Sequence, residues 1–521
     1  MADRKKEDRN NSFSELHMAN YRFAMFHVER FRLILPLLAV VFLCSACSVQ
    51  RSVITGNQRA YAYTWAQERQ LGQQSDPQIV AQYGAYEDPE LQAYVEEVAQ
   101  RVLAQSHLRR PDTPAEFKNT PFTVRILDSP VVNAFALPGG YIYVTRGILS
   151  HLDNEAQLAV VLGHEIGHVA ARHASQQAVT QQIGQLGVVG GAILGAAVLG
   201  GEAAESILNI GSQAAQLLTL RYGRGAERES DDLGVEYASL AGYEAAEGAK
   251  FFETLQRINE REGAELPTFL STHPDPGARK ETIQQIATQY DTQIPNQVVE
   301  RERYLRAVEG TVFGENPRQG FVENGVFYHP DLRFRFPVPR GFQVVNQPQQ
   351  VVLVASDQQA LQYFQIVEAS SAQAAATRFA QQQGLRVVDS GAARSGSLPA
   401  YFVLAEGQLQ SGQKVGVLAY FVEHEGRVYR FTGLATTERF NQYDDVFSDV
   451  AQGFAPLTDA RILGIKPWTI KIITASRTAP FRAFVPESLP EGVTPEDIAI
   501  INQVQLDTSI AAGTLLKIPS R

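Results

Sequence analysis

Apolar residues return every three or four positions between Thr64 and Ser106, which predicts helical structure. Within this stretch Asp88-Pro89 is a helix-start signal. The residues after it form one apolar face, which contains Leu91, Tyr94, Val95, Val98 and Val102. We therefore expect a helical segment that packs one face on a core.

A different pattern follows, in which apolar and polar residues alternate as they do in strands. It occurs from Phe122 to Leu127 and again from Tyr141 to Thr145, after the turn Pro138-Gly139-Gly140. Helical spacing then returns, with Asp153 as the expected N-cap and Glu155 in the first turn. The predicted buried stripe of this helix contains Leu158, Val161, Leu162, Ile166 and Val169. The order of elements indicates an α+β fold.

The pattern changes again beyond Gly320, where short alternating runs surround one helical stretch at 372–383. We expect an α+β domain at 306–456 after a first domain at 48–305. The tail at 457–521 resembles a degenerate LysM module, with a helix at 496–502 and a closing strand near Leu515. The usual Gly-Asp-Thr-Leu opening of that family is replaced around Ser476-Arg477-Thr478. Peptidoglycan is therefore only a possible partner of the tail.

Length and charge restrict the class of protein. A chain of 521 residues is too long for one ordinary core, so several domains are expected. The formal net charge is -10, which disfavours nucleic acid as a partner. A Gly/Ala-rich run from Leu186 to Gly201 is too short to span a bilayer. It predicts either a mobile helical hairpin beside the functional site or a plain core helix.

The first 47 residues have the organisation of a secretory signal. An apolar run from Leu33 to Leu43 follows a basic stretch, and the chain's two cysteines, Cys44 and Cys47, come directly after it. The boundary resembles a bacterial lipobox, which implies lipidation of Cys47. Ser48 at the next position implies delivery to the outer membrane of a Gram-negative cell, facing the periplasm. The alternative is an uncleaved membrane anchor with incidental cysteines.

The sequence His164-Glu165-Ile166-Gly167-His168 carries the clearest chemistry. Histidines four residues apart lie on one face of a helix, so two imidazoles can bind one zinc ion at about 2.0 to 2.1 Å. Glu165 lies beside the metal and not on it, where a general base can take a proton from a water molecule. We expect one Zn²⁺ per chain.

A catalytic zinc site needs a third protein ligand, and the acidic helix start at 227–232 offers candidates. Glu227 and Asp231 share a helix face, whereas Glu229 points about 200° away from Glu227. We therefore assign Glu227 to the zinc. Asp231 is expected to accept a hydrogen bond from a ligand imidazole. Glu229 is expected to be dispensable, and His173 is expected to be structural.

The motif H-E-x-x-H followed by E-x-x-x-D resembles that of the HtpX/Ste24/Oma1 family of zinc metallopeptidases, within the gluzincins. The resemblance covers about residues 60 to 290 and includes Asn133 to Gly140, Arg224, Gly242-Tyr243, His273-Pro274 and Arg279. It implies a mainly helical zincin-type catalytic domain with a small β-sheet. It is strongest for periplasmic members that degrade stalled outer-membrane proteins. Those members usually end in tetratricopeptide repeats, and no such period follows residue 300.

His273 has two possible catalytic roles in the predicted peptidase. It could donate a hydrogen bond to the oxyanion, or it could occupy the open zinc position and stop the reaction; a loop-stabilising histidine is the alternative. The predicted function is endopeptidase cleavage of unfolded or misassembled envelope proteins, with Tyr141 to Thr145 as the strand that pairs with substrate. The rival functions are a zinc-stabilised chaperone or scaffold and a cell-wall binding module.

Overall fold

The computed structural model describes residues 48–187, 222–262, 269, 273, 276–291, 293–408 and 413–521. The predicted signal with Cys44 and Cys47 lies outside these ranges, and so does the Gly/Ala-rich run from residue 188 onwards. The described residues form helices and several separate β-sheets, so the α+β fold class is confirmed. None of the helices in these ranges is both long and apolar enough to cross a membrane.

The first part of the chain places helices around a three-stranded sheet. Its elements are β1 (Ser48–Arg51), β2 (Gln58–Tyr61), α1 (Trp65–Tyr83), α2 (Pro89–Leu103), α3 (Ala115–Lys118), β3 (Thr123–Leu127), β4 (Ala134–Leu137), β5 (Tyr141–Thr145), α4 (Arg146–His151), α5 (Glu155–Ala171), α6 (His173–Gly187), α7 (Arg224–Leu240), α8 (Gly248–Glu262), α9 (Pro276–Asp291) and α10 (Arg301–Val308). The helical stretch predicted from Thr64 to Ser106 is two helices. Asp88 caps the second by accepting from the Leu91 amide.

The three-stranded sheet corrects one sequence prediction. Its order is β3-β5-β4, with β5 parallel to β3 and antiparallel to β4. The strand Tyr141–Thr145 is confirmed, but it is central and has no free edge for a substrate. The edge strands are β3 and β4. The alternation pattern missed β4 because its four residues are all apolar.

Helix α5 is buried on every side, and all 17 of its residues lie in the interior. The predicted cap at Asp153 was wrong by one residue, because the Asn154 side chain accepts from the Gln157 amide while Asp153 pairs with Arg301. Glycines allow α7 to approach α5 closely. A β-carbon at Gly163 would lie 2.8 Å from the Gly234 carbonyl oxygen. This approach sets the face of α7 that carries Glu227 against the histidines of α5.

Residues 321–456 build a second core around a seven-stranded antiparallel sheet in the order β12-β13-β14-β15-β11-β10-β9. The elements are β6 (Phe321–Glu323), β7 (Val326–His329), β8 (Phe334–Pro337), β9 (Phe342–Gln347), β10 (Gln350–Ala355), β11 (Ala360–Val367), α11 (Ala372–Ala380), β12 (Leu385–Ser395), β13 (Leu398–Gln408), β14 (Lys414–His424), β15 (Arg427–Thr436), α12 (Asp444–Gln452) and β16 (Ala455–Pro456). One face of this sheet packs on α12 and on a four-stranded sheet in the order β16-β8-β7-β6, and the other face packs on α11.

Residues 457–521 pack against the first part of the chain. They contain α13 (Ala460–Leu463), β17 (Thr469–Thr474), β18 (Ala479–Pro480), α14 (Pro495–Ile501), β19 (Ser509–Ile510) and β20 (Leu515–Ser520), with β17 antiparallel to β20. Lys517 on β20 is fully buried and donates to the carbonyl oxygens of Ser150 and Leu152. Gln503 exchanges 2.8 Å hydrogen bonds with Gln157. The C-terminal segment therefore holds the start of α5.

Candidate metal centre

The two histidines of the motif meet inside the protein. His164 and His168 lie one turn apart on α5, and their Nε2 atoms are 3.0 Å apart. Both side chains are almost completely buried, at 4% and 3% exposure. Burial lowers the pKa of His168 well below its ordinary value, which keeps the ring neutral and its lone pair available to a metal.

Glu227 on α7 closes a third side of this cluster. Its Oε2 lies 3.6 Å from the His164 Nε2, and its Oε1 lies 3.5 Å from the His168 Nε2. The ligand atoms of a tetrahedral zinc ion lie about 3.3 to 3.4 Å from each other, given bond lengths of about 2.0 to 2.1 Å. The observed separations of 3.0 to 3.6 Å fit that group. These side chains could hold one zinc ion.

Asp231 supports His164 from behind, one turn beyond Glu227. Its Oδ1 lies 3.0 Å from the His164 Nδ1, and Arg279 holds the same carboxylate through bonds of 2.6 and 2.8 Å. Burial alone would raise the pKa of Asp231, but the charge of Arg279 and the hydrogen bonds from His164 and Arg279 together lower the pKa below its ordinary value. An ionised Asp231 accepts the Nδ1 hydrogen of His164, so the His164 Nε2 presents its lone pair to the cluster.

His273 lies inside the cluster and not at its border. Its Nδ1 is 3.3 Å from the His164 Nε2 and 3.1 Å from the Glu227 Oε1. The ligand atoms of four residues lie within 4.8 Å of one another: His164, His168, Glu227 and His273. Burial alone would lower the pKa of His273, but Glu227 and Glu165 raise it. Because its Nδ1 lies at ligand spacing from His164 and Glu227, a neutral His273 can provide a fourth ligand atom, at the position where a catalytic zinc would be open.

Glu165 points beside the cluster. One of its oxygens lies 3.6 Å from the His273 Nε2, and neither oxygen has a hydrogen-bond partner among the described residues. Burial raises the pKa of Glu165, because a carboxylate loses the hydration that it has in water. Buried acceptors without partners are rare in folded proteins. A cation in the cluster and a water molecule beside it would satisfy them.

Two side chains around His168 were missed or undervalued from the sequence. Tyr222 stacks on the His168 ring, with centroids 4.1 Å apart, and nothing in its sequence context signals this. His173 places its Nδ1 2.9 Å from the His168 Nδ1. Its spacing of nine residues from His164 was visible, but only the turn after α5 shows that it folds back onto His168.

The region that contains this cluster matches a known family. Residues 87–287 match the family model described as Peptidase family M48. This chain carries an M48 peptidase domain. The M48 domain contains the two histidines, Glu165, Glu227 and His273, and its presence agrees with the resemblance drawn from the two motifs.

Several curated relatives align with the M48 domain. Mitochondrial metalloendopeptidase OMA1 of Arabidopsis thaliana is 33% identical over 162 residues, which are 31% of this chain and 31% of that protein. The beta-barrel assembly-enhancing protease of Yersinia pestis is 28% identical over 224 residues, 42% of this chain and 43% of that protein. The Escherichia coli protein of the same name is 28% identical over 217 residues, with shares of 41% and 42%. The chain thus spans less than half of the length of these relatives.

A solved structure is also similar to part of the chain. The cyanobacterial PsbP of Synechocystis sp. PCC 6803 covers 26% of this chain and 91% of that one, at 16% identity and a TM-score of 0.21. A likeness at this level assigns no function.

Proposed function

We propose that this protein is a zinc-dependent endopeptidase that hydrolyses peptide bonds of unfolded or stalled cell-envelope proteins. The observation that carries the proposal is the buried meeting of His164, His168 and Glu227 at ligand spacing, with Glu165 beside them. A purely structural metal site would not need a buried carboxylate without hydrogen-bond partners next to it. Glu165 therefore favours hydrolysis over a zinc-stabilised scaffold.

In the proposed mechanism each residue has a defined task. Zinc bound by His164, His168 and Glu227 would supply a Lewis acid that polarises a carbonyl and lowers the pKa of water toward 7. Glu165 takes a proton from the attacking water and delivers it to the leaving amine. Asp231 keeps the His164 ring in the tautomer that directs Nε2 inward.

The position of His273 supports the proposal of a closed state, in which His273 blocks the fourth zinc position. Its Nδ1 occupies the fourth side of the cluster, so substrate entry would require it to leave. If His273 closes the site, His273→Ala should raise the basal rate of casein hydrolysis. If His273 instead stabilises the oxyanion, the same substitution should lower kcat.

Among the described strands β4 pairs only with β5, and its other edge is the proposed site of substrate pairing. Ala136 and Leu137 on β4 line a small cavity together with His168 and Tyr222, so a chain paired there would pass the metal centre. Backbone hydrogen bonds to an edge strand do not depend on side-chain identity. Extended, unfolded polypeptides are therefore the natural substrate class, and two relatives are named for β-barrel assembly.

We propose that the mature protein begins at Cys47 and is held by its lipid at the outer membrane, facing the periplasm. The support is the apolar run that ends at Cys44 and Cys47, with Ser48 at the next position. Cys47→Ser should release the protein into the soluble fraction or block its processing, whereas Cys44→Ser should do neither. The opposite pattern would move the lipidated cysteine to position 44.

Residues 457–521 remain a LysM-like prediction, and peptidoglycan remains a possible ligand. We infer that their first role is to hold the peptidase domain, because Lys517, Gln503 and Leu515 are engaged with it. Sedimentation with purified peptidoglycan tests the glycan prediction separately.

Substrate trapping tests the proposed function. The Glu165→Gln variant should capture unfolded envelope proteins without cleaving them, and the captured chains should be cleaved by the native enzyme in the presence of zinc. The matched control is Glu90→Gln, an exposed glutamate in the first turn of α2, which should cleave casein normally. The proposal fails if the native protein with zinc cleaves neither casein nor the captured chains.

A further inference from the structure

A hydrogen-bonded chain of three side chains, His173, Glu229 and Arg59, continues outward from His168. His173 begins α6 directly after Arg172, whose left-handed backbone (φ 62°) turns the chain back at the end of α5. This turn places the His173 Nδ1 2.9 Å from the His168 Nδ1, on the side of the ring opposite the metal cluster. His173 is buried, with 3% exposure.

Glu229 is the next member of the chain. Glu229 points away from the metal cluster and toward His173, because it lies on another face of α7 than Glu227. The Glu229 Oε2 lies 3.1 Å from the His173 Nε2. Arg59 then holds both oxygens of Glu229 through two bonds of 2.9 Å. This paired geometry is the strong form of an arginine–carboxylate contact. Arg59 lies on β2, outside the segment that matches Peptidase family M48.

The direction of the hydrogen bonds follows from Glu229. A carboxylate can only accept, so the His173 Nε2 must donate to it. A neutral His173 then has an accepting Nδ1, which receives the hydrogen on the Nδ1 of His168. The remaining nitrogen of His168, Nε2, is left with its lone pair toward His164 and Glu227.

We propose that Arg59, Glu229 and His173 are positioning residues that orient His168 for zinc, in the way that Arg279 and Asp231 orient His164. The inference rests on the proposed zinc site and assigns Glu229 a role that the sequence did not predict. The N-terminal hairpin β1–β2 is thereby part of the metal site. A second contact joins this N-terminal region to the end of α5. Arg172 donates to the Gln50 side chain and to the Tyr63 carbonyl oxygen, at 2.6 Å each.

Zinc affinity of the purified mature protein, measured by competition with a chromophoric chelator, tests this proposal. Glu229→Gln should weaken zinc binding by about 10-fold, the lower end of the usual range for residues behind a metal ligand, because Glu229 is partly exposed. Arg59→Gln should weaken it less, and Arg59→Lys should restore part of the loss. Arg59→Gln added to Glu229→Gln should cost nothing further, since both act through one chain.

The matched controls are Glu236→Gln and Arg110→Gln. Glu236 lies on the same helix and pairs with Arg110 at 2.5 Å, with similar partial exposure. These variants should bind zinc as the native protein does. The melting temperatures of the zinc-free Glu229 and Glu236 variants should agree, which a merely structural role of Glu229 would not produce.

The zinc-binding measurements distinguish failure of the positioning proposal from failure of the proposed function. If the Glu229 and Arg59 variants bind zinc as tightly as the controls, the positioning chain is overturned while the zinc peptidase stands. If the native protein and all variants fail to bind zinc, the proposed function itself fails. Cobalt substitution provides a second readout, because a reoriented His168 should shift the visible absorption bands of Glu229→Gln and leave those of Glu236→Gln unchanged.

Discussion

The two ends of α5 are both built from buried polar side chains, but their hydrogen bonding differs. At the start of the helix, the Asn154 amide donates to Glu247, and the Glu155 oxygens accept from Tyr94, Tyr243 and Arg303. None of the buried side-chain polar atoms of Asn154, Glu155 and Gln157 lacks a partner. Toward the other end, both oxygens of Glu165 and the His273 Nε2 have none.

This difference distinguishes the docking end of α5, its start, where the C-terminal segment packs, from the end that carries the candidate metal cluster. A satisfied network stabilises a fold, because each buried polar atom recovers the hydrogen bond that it lost from water. Unpaired acceptors grouped around ligand atoms instead imply a charge or a reactant that the protein alone does not supply. We therefore expect substitutions at the two ends to have different effects: zinc and hydrolysis at one end, and stability at the other.

The largest effect should come from the ligand side chains. His164→Ala, His168→Ala and Glu227→Gln should each lose zinc and abolish casein hydrolysis, because a catalytic zinc site needs all three of these ligands besides the position that His273 can occupy. Atomic absorption on the purified variants measures the metal. Gln503→Ala, at the opposite end of α5, should keep full zinc occupancy. Full occupancy in the ligand variants would remove the distinction between the two ends.

Asp231→Asn should have an intermediate effect on the same end. Its amide loses the charge that holds the His164 tautomer and the Arg279 guanidinium. Substitution of a residue that hydrogen-bonds a metal ligand typically lowers metal affinity or activity by about 10 to 100-fold. Chelator competition and kcat measure the loss. Native values in this variant would mean that the buried Asp231–Arg279 pair serves stability alone.

Lys517→Met should have the smallest effect on hydrolysis and a clear one on stability. Removing two hydrogen bonds to buried carbonyl oxygens should cost about 1 to 3 kcal/mol at pH 9. The folded variant should still bind zinc and cleave casein, because Lys517 contacts the docking end of α5 and not the metal cluster.

The same lysine predicts a pH dependence with a definite sign. Burial lowers the pKa of Lys517 to about 7, below its ordinary 10.5. Between these values the unfolded chain binds more protons, so this group makes native stability rise with pH. Urea unfolding at pH 6.5 and pH 9 should show the rise in the native protein and a smaller one in Lys517→Met. An identical pH dependence in both proteins would refute the assignment.

The sequence could group most residues of the candidate metal cluster because these residues obey a local rule. His164 with His168, and Glu227 with Asp231, are each four residues apart on one helix, so periodicity alone assigns them to a face. Confirmed strands such as Tyr141–Thr145 follow the same logic. The choice between Asp153 and Asn154 as the cap failed because both residue types cap helices and lie next to each other.

The remaining features depend on contacts between distant residues. Lys517 reaches Ser150 across 367 positions, and Arg59 reaches Glu229 across 170. No local pattern carries such pairs. The same holds for Tyr222 on the His168 ring, and for β4, whose strand character depends on its pairing with β5.

The central claim is that Glu165 is the base of a zinc peptidase and not a ligand or a structural carboxylate. Zinc content and casein hydrolysis measured on the same sample of Glu165→Gln test it most directly. We predict one zinc per chain, as in the native protein, and hydrolysis reduced at least about 1,000-fold, in the range of general acid–base contributions. Hydrolysis close to the native rate, or loss of the metal, would contradict the account.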